Sequence, residues 1–417
     1  MKTTTTIKMA MGICVACLTM NAQVAEPVAS DVVVRQRWPW SRLVDIDYVL
    51  TCDATQQVAI ALSAYDGSAE LELPPGSLTG DLFGVTPGAC RIVWDPSRTT
   101  YTNRILTQFS VTLVPVPMPN YMIVDVSGGS SATAYPVTYT NAIAEYDLTN
   151  ASSVYKTDKL VMRWIPPGTF QMGSPTDEVP RDGDPREKQH TVTHTKGYWM
   201  GVFELTKSQY ARVMGGAGAG DKTPYNSAYY TTLRGLHTNA LGVSVYNWPT
   251  NGHSVDDNTV LAKLRQKTGG LLFDLPTDAQ WEYACRAGTT GKWNAGRSDL
   301  TTNDVSEIAQ FCWYWNRGGA SVKEVGLLIP NAWGLYDMHG NVWEWTLDWY
   351  DINYHNYSPS TDPLGPTPAM ANQLQRCKRG GAYSATDGKW IRSAYRSNMP
   401  FNSTGADHGV RLCVWPN

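Results

Sequence analysis

The sequence has little charge and, beyond its start, no long apolar run. Lys and Arg number 34 and Asp and Glu 37 among 417 residues, a net charge of −3 with the two signs interspersed. No basic stretch or basic–aromatic stripe occurs, so the electrostatic footprint that nucleic-acid binding requires is missing. Outside residues 9–20 nothing approaches the roughly 20 apolar residues of a bilayer-spanning helix, and no integral membrane protein is expected. A phosphate-binding P-loop, a dinucleotide fingerprint and a serine nucleophile elbow are also absent, as are internal repeats and low-complexity tracts. What is abundant is 36 Gly, 25 Pro and 16 Trp. With few long helical periods, that composition predicts a turn-rich architecture with enough apolar residues for real cores.

The start, Met1-Lys-Thr-Thr-Thr-Thr-Ile-Lys8, is short and basic, and an apolar run from Met9 to Met20 ends at Asn21-Ala22. This pattern predicts a secretory signal peptide over residues 1–22. The mature protein is then exported, whether periplasmic, secreted or held at the cell surface. Cleavage would remove Cys14 and Cys17 and leave six of the 8 cysteines in an oxidising setting, where disulfides form.

Residues 27–120 read as short alternating strands, among them Val32–Arg37, Leu43–Leu50, Val58–Ala64, Cys90–Trp94 and Phe109–Val114, separated by Gly, Pro, Asp and Ser. Regular strands with turn signals predict an all-β, immunoglobulin-like sandwich. Cys52 and Cys90 fall beside two of these strands and are candidates to bridge its sheets. Residues 121–157 read as a connector rich in Ser, Thr, Ala and Tyr, with one more strand near Tyr121. Farther on, Thr206-Lys-Ser-Gln209 and Thr277-Asp-Ala-Gln280 are capping boxes that open helices running to Met214 and to about Gly288. A third helix is expected from Ser254 or Asp256 to Gly269, with Val260, Leu261 and Leu264 on its inner face.

The segment Gly334-Leu-Tyr-Asp-Met-His-Gly-Asn-Val-Trp-Glu-Trp345 is followed by Arg379-Gly-Gly-Ala-Tyr383 and His408-Gly-Val-Arg-Leu412. Ile165-Pro-Pro-Gly-Thr-Phe-Gln-Met-Gly-Ser174, Gly201-Val-Phe-Glu-Leu-Thr206 and Leu275-Pro-Thr-Asp-Ala-Gln-Trp-Glu-Tyr283 precede them. In this order, residues 158–417 resemble the formylglycine-generating enzyme, or sulfatase-modifying factor, family. The resemblance implies a mixed α+β, C-type-lectin-like, loop-rich fold after the β-sandwich.

Catalytic members of that family bind Cu(I) through two cysteines just after the Arg-Gly-Gly strand and use O2 to oxidise a substrate cysteine. Cu(I) requires soft thiolates, and this sequence has no cysteine between Cys377 and Cys413. A copper centre is therefore not expected. The resemblance further places Arg392 and Arg396 near the substrate groove, with Trp390 beside them, where the arginines either grip a peptide or brace the fold. It implies a structural Ca2+ held by oxygens of Asn341 and Glu344, although an odd separation needs a bend in the strand for joint coordination. It also suggests a disulfide between Cys285 and Cys413, one residue out of the family spacing.

His190-Thr-Val-Thr-His194 would be a metal pair on a helix, but its β-branched centre predicts a strand. Four strand residues span about 13 Å, so one zinc cannot reach both rings. The tryptophans Trp313, Trp315, Trp333, Trp343, Trp345 and Trp349 are expected to anchor core and loops.

The expected function is an exported, non-catalytic module that binds a peptide, a glycan or an extracellular protein. The competing reading is a sulfatase-maturation oxidase converting cysteine to formylglycine, or another metal-dependent oxidation.

Overall fold

The computed structural model describes residues 26–416 apart from 103, 151–152, 183–184, 236–247, 250–251, 295–304, 316–320 and 368–374. The expected leader at 1–22, with Cys14 and Cys17, lies outside the described residues. No helix among them is long and apolar enough to cross a membrane.

The first seven strands are β1 (Val28–Gln36), β2 (Val44–Thr51), β3 (Val58–Asp66), β4 (Ala69–Leu71), β5 (Leu78–Gly80), β6 (Gly88–Trp94) and β7 (Phe109–Pro117). They make two antiparallel sheets, ordered β1-β2-β6-β5 and β4-β3-β7. Strand alternation puts Ile46, Tyr48 and Leu50 of β2 and Ile92 and Trp94 of β6 into one core with Val58, Ile60 and Leu113 from the other sheet. Cys52 and Cys90 do not bridge the sheets. Cys90 sits on β6 and Cys52 just past β2, neighbouring strands of one sheet, and both are free thiols.

Two contacts clamp the sandwich onto the rest of the chain. Gly76 lies flat against backbone, where a Cβ would stand 2.2 Å from the carbonyl carbon of Gly270, and Arg98 Nη1 donates to the carbonyls of Gly76 at 2.9 Å and Gly270 at 3.3 Å. The Phe83 ring packs on Tyr139, Trp164 and Trp199 with centroids 5.1, 6.4 and 5.7 Å away.

The expected connector is not a loose link. Its residues form β8 (Tyr121–Asp125), β9 (Val137–Thr140) and helix α1 (Glu145–Thr149). The strands that follow are β10 (Lys159–Ile165), β11 (Gly168–Met172), β12 (His190–His194), β13 (Tyr198–Gly201) and β14 (Phe273–Asp274). Next come β15 (Trp343–Trp349), β16 (Gln375–Arg379), β17 (Ser397–Pro400), β18 (His408–Gly409) and β19 (Cys413–Val414). A six-stranded sheet of order β14-β19-β13-β10-β8-β9 absorbs both connector strands, because β8 pairs along β10 from Lys159↔Asp125 to Arg163↔Tyr121. A second sheet runs β17-β16-β15-β18, and β11 and β12 form a separate ribbon. His190 and His194 are thus at opposite ends of a strand, as their sequence predicts.

The helices are short: α2 (Lys207–Met214), α3 (Tyr230–Arg234), α4 (Val260–Lys267), α5 (Asp278–Arg286) and α6 (Val305–Ile308). Both capping boxes form, with Thr206 and Thr277 each accepting the backbone N–H of the glutamine three residues on. The third expected helix starts later than Ser254 or Asp256, because the Thr259 hydroxyl accepts from Ala262 N–H at 3.2 Å and fixes the first turn there. Every residue of α5 is buried, which brings Asp278, Glu282 and Arg286 into the interior. The main core joins Leu261 and Leu264 of α4 to Trp345, Leu347 and Trp349 of β15. Of the signature-region tryptophans, Trp315 departs from the core reading, with 52% of its surface exposed.

Candidate functional site

Three arginines after the signature segment are fully buried and paired. Arg379 donates from Nε to Asp278 and from Nη2 to Glu282 at 2.9 Å. Arg396 Nε meets the other Asp278 oxygen at 2.6 Å. Burial alone would raise the Asp278 carboxyl, but Arg379 and Arg396 hold it well below the usual range. Arg392 grips Glu187 with two bonds of 2.7 and 2.9 Å and Glu178 with a third of 2.6 Å. Arg392 and Arg396, expected at a substrate groove, lie in the interior, paired with acids delivered by α5 and by the segment before β12, while Arg392 Nε and Arg396 Nη2 make no hydrogen bond among the described residues.

Both residues of the expected calcium pair are engaged by other side chains. Glu344 accepts Arg411 at 2.7 Å and Trp281 Nε1 at 2.6 Å, with 1% of its side chain exposed. Asn341, in the left-handed region at φ 57°, donates to Glu204 at 2.6 Å and accepts the Lys323 N–H at 3.0 Å. The two networks adjoin, because Glu204, which Asn341 bonds, lies close to Glu344 and Arg411. Among the described residues no three His, Cys, Asp or Glu side chains gather as metal ligands. Next to Asn341, burial and the nearby Asp337 and Glu344 push the Glu204 carboxyl well up, and burial pushes Asp337 to about 6.

Cys285 and Cys413 are buried in the same core cluster but remain free thiols. Cys285 Sγ faces Asn294 Nδ2 at 3.1 Å, while Cys413 lies within the sheet between Met200 and Asp274. Cys377 turns its Sγ towards Asp278 Oδ1 at 3.3 Å, and burial pushes that thiol up.

Strand alternation sends the next residue the other way, and there a polar cluster forms. Lys378 leaves β16 on the face opposite Cys377 and Arg379. Strand β18 pairs in parallel with β15, matching His408 to Trp343. Lys378 Nζ consequently lies 2.7 Å from His408 Nε2 and 4.5 Å from the Trp343 ring centre. His408 Nδ1 is 2.8 Å from Asp407 Oδ1, at an angle outside good hydrogen-bond geometry, and Ser384 Oγ donates to the other Asp407 oxygen.

Two glycines make this convergence local. Gly380 and Gly381 have φ of 88° and 74°, and a Cβ on Gly381 would sit 2.4 Å from Ile391 Cγ2, so the chain turns sharply after Arg379 and carries Ser384 to Asp407. Trp343, Ala382 and Tyr395 pack together, with Trp390 against them. Trp390 alone of the three expected groove residues stays beside this cluster.

Burial is the largest influence on each titratable member of this cluster. Burial pulls the Lys378 ammonium down to about 8 against the attraction of Asp407 and Cys377. Burial lowers His408 despite Asp407. Burial would raise Asp407, but the adjacent His408 and the hydrogen bond from Ser384 hold it at about 2. Sequence reasoning passed over Lys378, Asp407 and Ser384 and used His408 only as part of a signature. The available signal was alternation on β16, which aims Lys378 away from its paired neighbours.

With this fold and site, the chain belongs to the family of the Sulfatase-modifying factor enzyme 1-like domain, whose profile matches residues 148–415. It is 24% identical over 291 residues to the formylglycine-generating enzyme of Mus musculus, spanning 60% of this chain and 74% of that protein. It is 26% identical over 245 residues to Chaperone protein LppX of Paenibacillus barcinonensis, spanning 52% and 79%. Among solved structures, Treponema denticola variable protein 1 matches 64% of this chain and 98% of that one, at 25% identity and a TM-score of 0.47.

Proposed function

We propose that this is an exported binding protein whose formylglycine-generating-enzyme-like domain does not carry out copper-dependent oxidation. The observation that carries the reading is the ligand set after the Arg-Gly-Gly turn. Ser384, Asp407, His408 and Lys378 gather there, and hard or borderline N and O donors are poor ligands for Cu(I). The thiol nearest in sequence, Cys377, faces the other side of its strand. The domain would then hold a peptide, a glycan or an extracellular protein. A relative named as a chaperone supports binding without oxidation as a use of this fold. Export rests on the basic and then apolar start of the sequence. The sandwich is read as immunoglobulin-like because β1-β2-β6-β5 against β4-β3-β7 reproduces the A-B-E-D arrangement facing the C and F strands.

The second reading, a sulfatase-maturation oxidase, is favoured by the relatives named as formylglycine-generating enzymes. Titration of the reduced protein with Cu(I) against a competing chelator, with an assay on a Cys-x-Pro-x-Arg peptide, separates the two. No stoichiometric copper uptake and no aldehyde product are expected. One tightly held copper with peptide oxidation would overturn the proposal.

A further inference from the structure

A cleft of about 360 Å³ runs along the seam between the sandwich and the rest of the chain. The loop from β5 to β6 supplies one wall with Asp81, Phe83 and Thr86, and Tyr139, Trp164 and Trp199 supply the other. Thr195, Lys196, Trp415 and Pro416 border this cleft and also a neighbouring one of about 220 Å³. Neither region forms the cleft alone, so the contacts at Gly76 and Phe83 that clamp the sandwich in place also assemble it. Its volume falls within the range of about 300–1,000 Å³ found for small-molecule sites.

Polar groups on these walls are left with bonding capacity. Trp164 is only 8% exposed, yet its Nε1 has no hydrogen-bond partner among the described residues, and buried donors are nearly always paired. The ring edge next to that nitrogen fits between Gly84 and Gly197, both of which line the cleft, where an added Cβ would stand 3.1 and 2.2 Å from Cζ2. Among the described residues the Tyr139 hydroxyl makes no hydrogen bond and the exposed Lys196 no ion pair. Asp81 accepts the Arg91 N–H through Oδ2 at 2.7 Å and keeps Oδ1 unused. Donors and an acceptor thus share one cleft with the partly exposed rings of Phe83 and Trp415, and the charges of Lys196 and Asp81 cancel.

We propose that this cleft binds an uncharged oligosaccharide. A hydroxyl both accepts from an indole N–H or an ammonium and donates to a carboxylate, and the C–H face of a sugar ring packs on aromatic surface, whose rings combine an apolar body with a polar tip. An anion would meet Asp81 and, in the neighbouring cleft, Asp362. An acyl chain would leave the polar groups buried and unpaired, which is costly. The inference rests on the binding reading of this protein, selects the glycan among its ligands and gives the sandwich a share in holding it.

The test applies the full chain to an array of neutral and acidic oligosaccharides and measures the strongest neutral binder by isothermal titration calorimetry. Binding to neutral glycans is expected. Ala89→Trp, which sets a large ring at an exposed position lining the cleft, should weaken that binding at least tenfold; Thr86→Trp serves if circular dichroism shows that variant to be misfolded. Lys196→Met should weaken it at least threefold, whereas Lys188→Met, at an exposed position outside both clefts, should leave it unchanged. A blank array, retention of acidic glycans only, or an affinity that the cleft-filling variant does not change overturns the proposal. Retention of a peptide library in place of glycans overturns it too but leaves the binding reading intact, since that reading falls only with copper uptake and peptide oxidation.

Discussion

Arg396 Nε and Asp278 Oδ2 meet at 2.6 Å with 0% and 1% of their side chains exposed. The same carboxylate also takes Arg379 through its other oxygen, so one acid pairs with two guanidiniums inside the protein, and Glu282 supplies Arg379 with a second acid. A buried pair contributes little net stability relative to an apolar pair, but removing one member leaves an uncompensated charge. Asp278→Asn should therefore lower the unfolding free energy by about 3–5 kcal/mol, measured by urea denaturation. A loss below about 1 kcal/mol, the range of exposed pairs, would return these arginines to the groove.

Thiol reactivity should follow burial. Cys52 and Cys90 are partly exposed, whereas Cys285, Cys377 and Cys413 have no exposed surface, and burial pushes Cys285 up to about 12. Only a thiolate is alkylated. Iodoacetamide on the native protein should modify Cys52 and Cys90 at least tenfold faster than those three, read by mass spectrometry. Finding Cys52 and Cys90 joined, or Cys285 joined to Cys413, would contradict the free thiols of the structure.

At Gly76 the sandwich touches backbone with no room for a methyl group. Gly76→Ala must force the two regions apart or shift a loop, an overpacking cost of about 1–3 kcal/mol. Differential scanning calorimetry should resolve separate sandwich and C-terminal transitions in the variant where the parent melts as one. An unchanged profile would mean that the two regions are not energetically coupled there.

Asp337 carries a pH signature. Burial pushes its carboxyl up to about 6 from an unfolded value of 3.8, so between those values the folded protein keeps a proton that the unfolded chain has released. Its contribution is full below the lower value and is lost as pH rises through about 6. Asp337→Asn keeps an acceptor for the Gly326 N–H, bonded at 2.7 Å, and removes the titration. Relative to the parent, the variant should gain on the order of 2–3 kcal/mol between pH 4 and pH 8, measured by guanidinium unfolding at both values. A pH-independent difference would sink this assignment.

What the sequence made legible was local. The hydroxyl of Thr206 and the amide of Gln209 are three residues apart, and their reciprocal bonding needs nothing else. The same holds for the alternating strands of the sandwich and for the extended His190–His194 segment. Partners set by distant chain were not legible. Arg392 and Glu187 are separated by 205 positions, and no spacing rule ties a guanidinium to an acid that far away. The apolar alternation in β8 announces a strand, but its partner β10 lies beyond a further strand and a helix, so the segment reads as a connector. Glu344 looks like an oxygen ligand until Arg411 arrives from the other end of the domain to occupy it.

Strand β19 occupies an inner position of the six-stranded sheet, hydrogen-bonded to β14 on one side and β13 on the other. Its two flanks are made far earlier in synthesis and must wait, edges open, until Val414 clears the ribosome. Premature termination would leave two hydrophobic strand borders searching for a partner, which makes shortened products of this domain aggregation-prone rather than merely less stable.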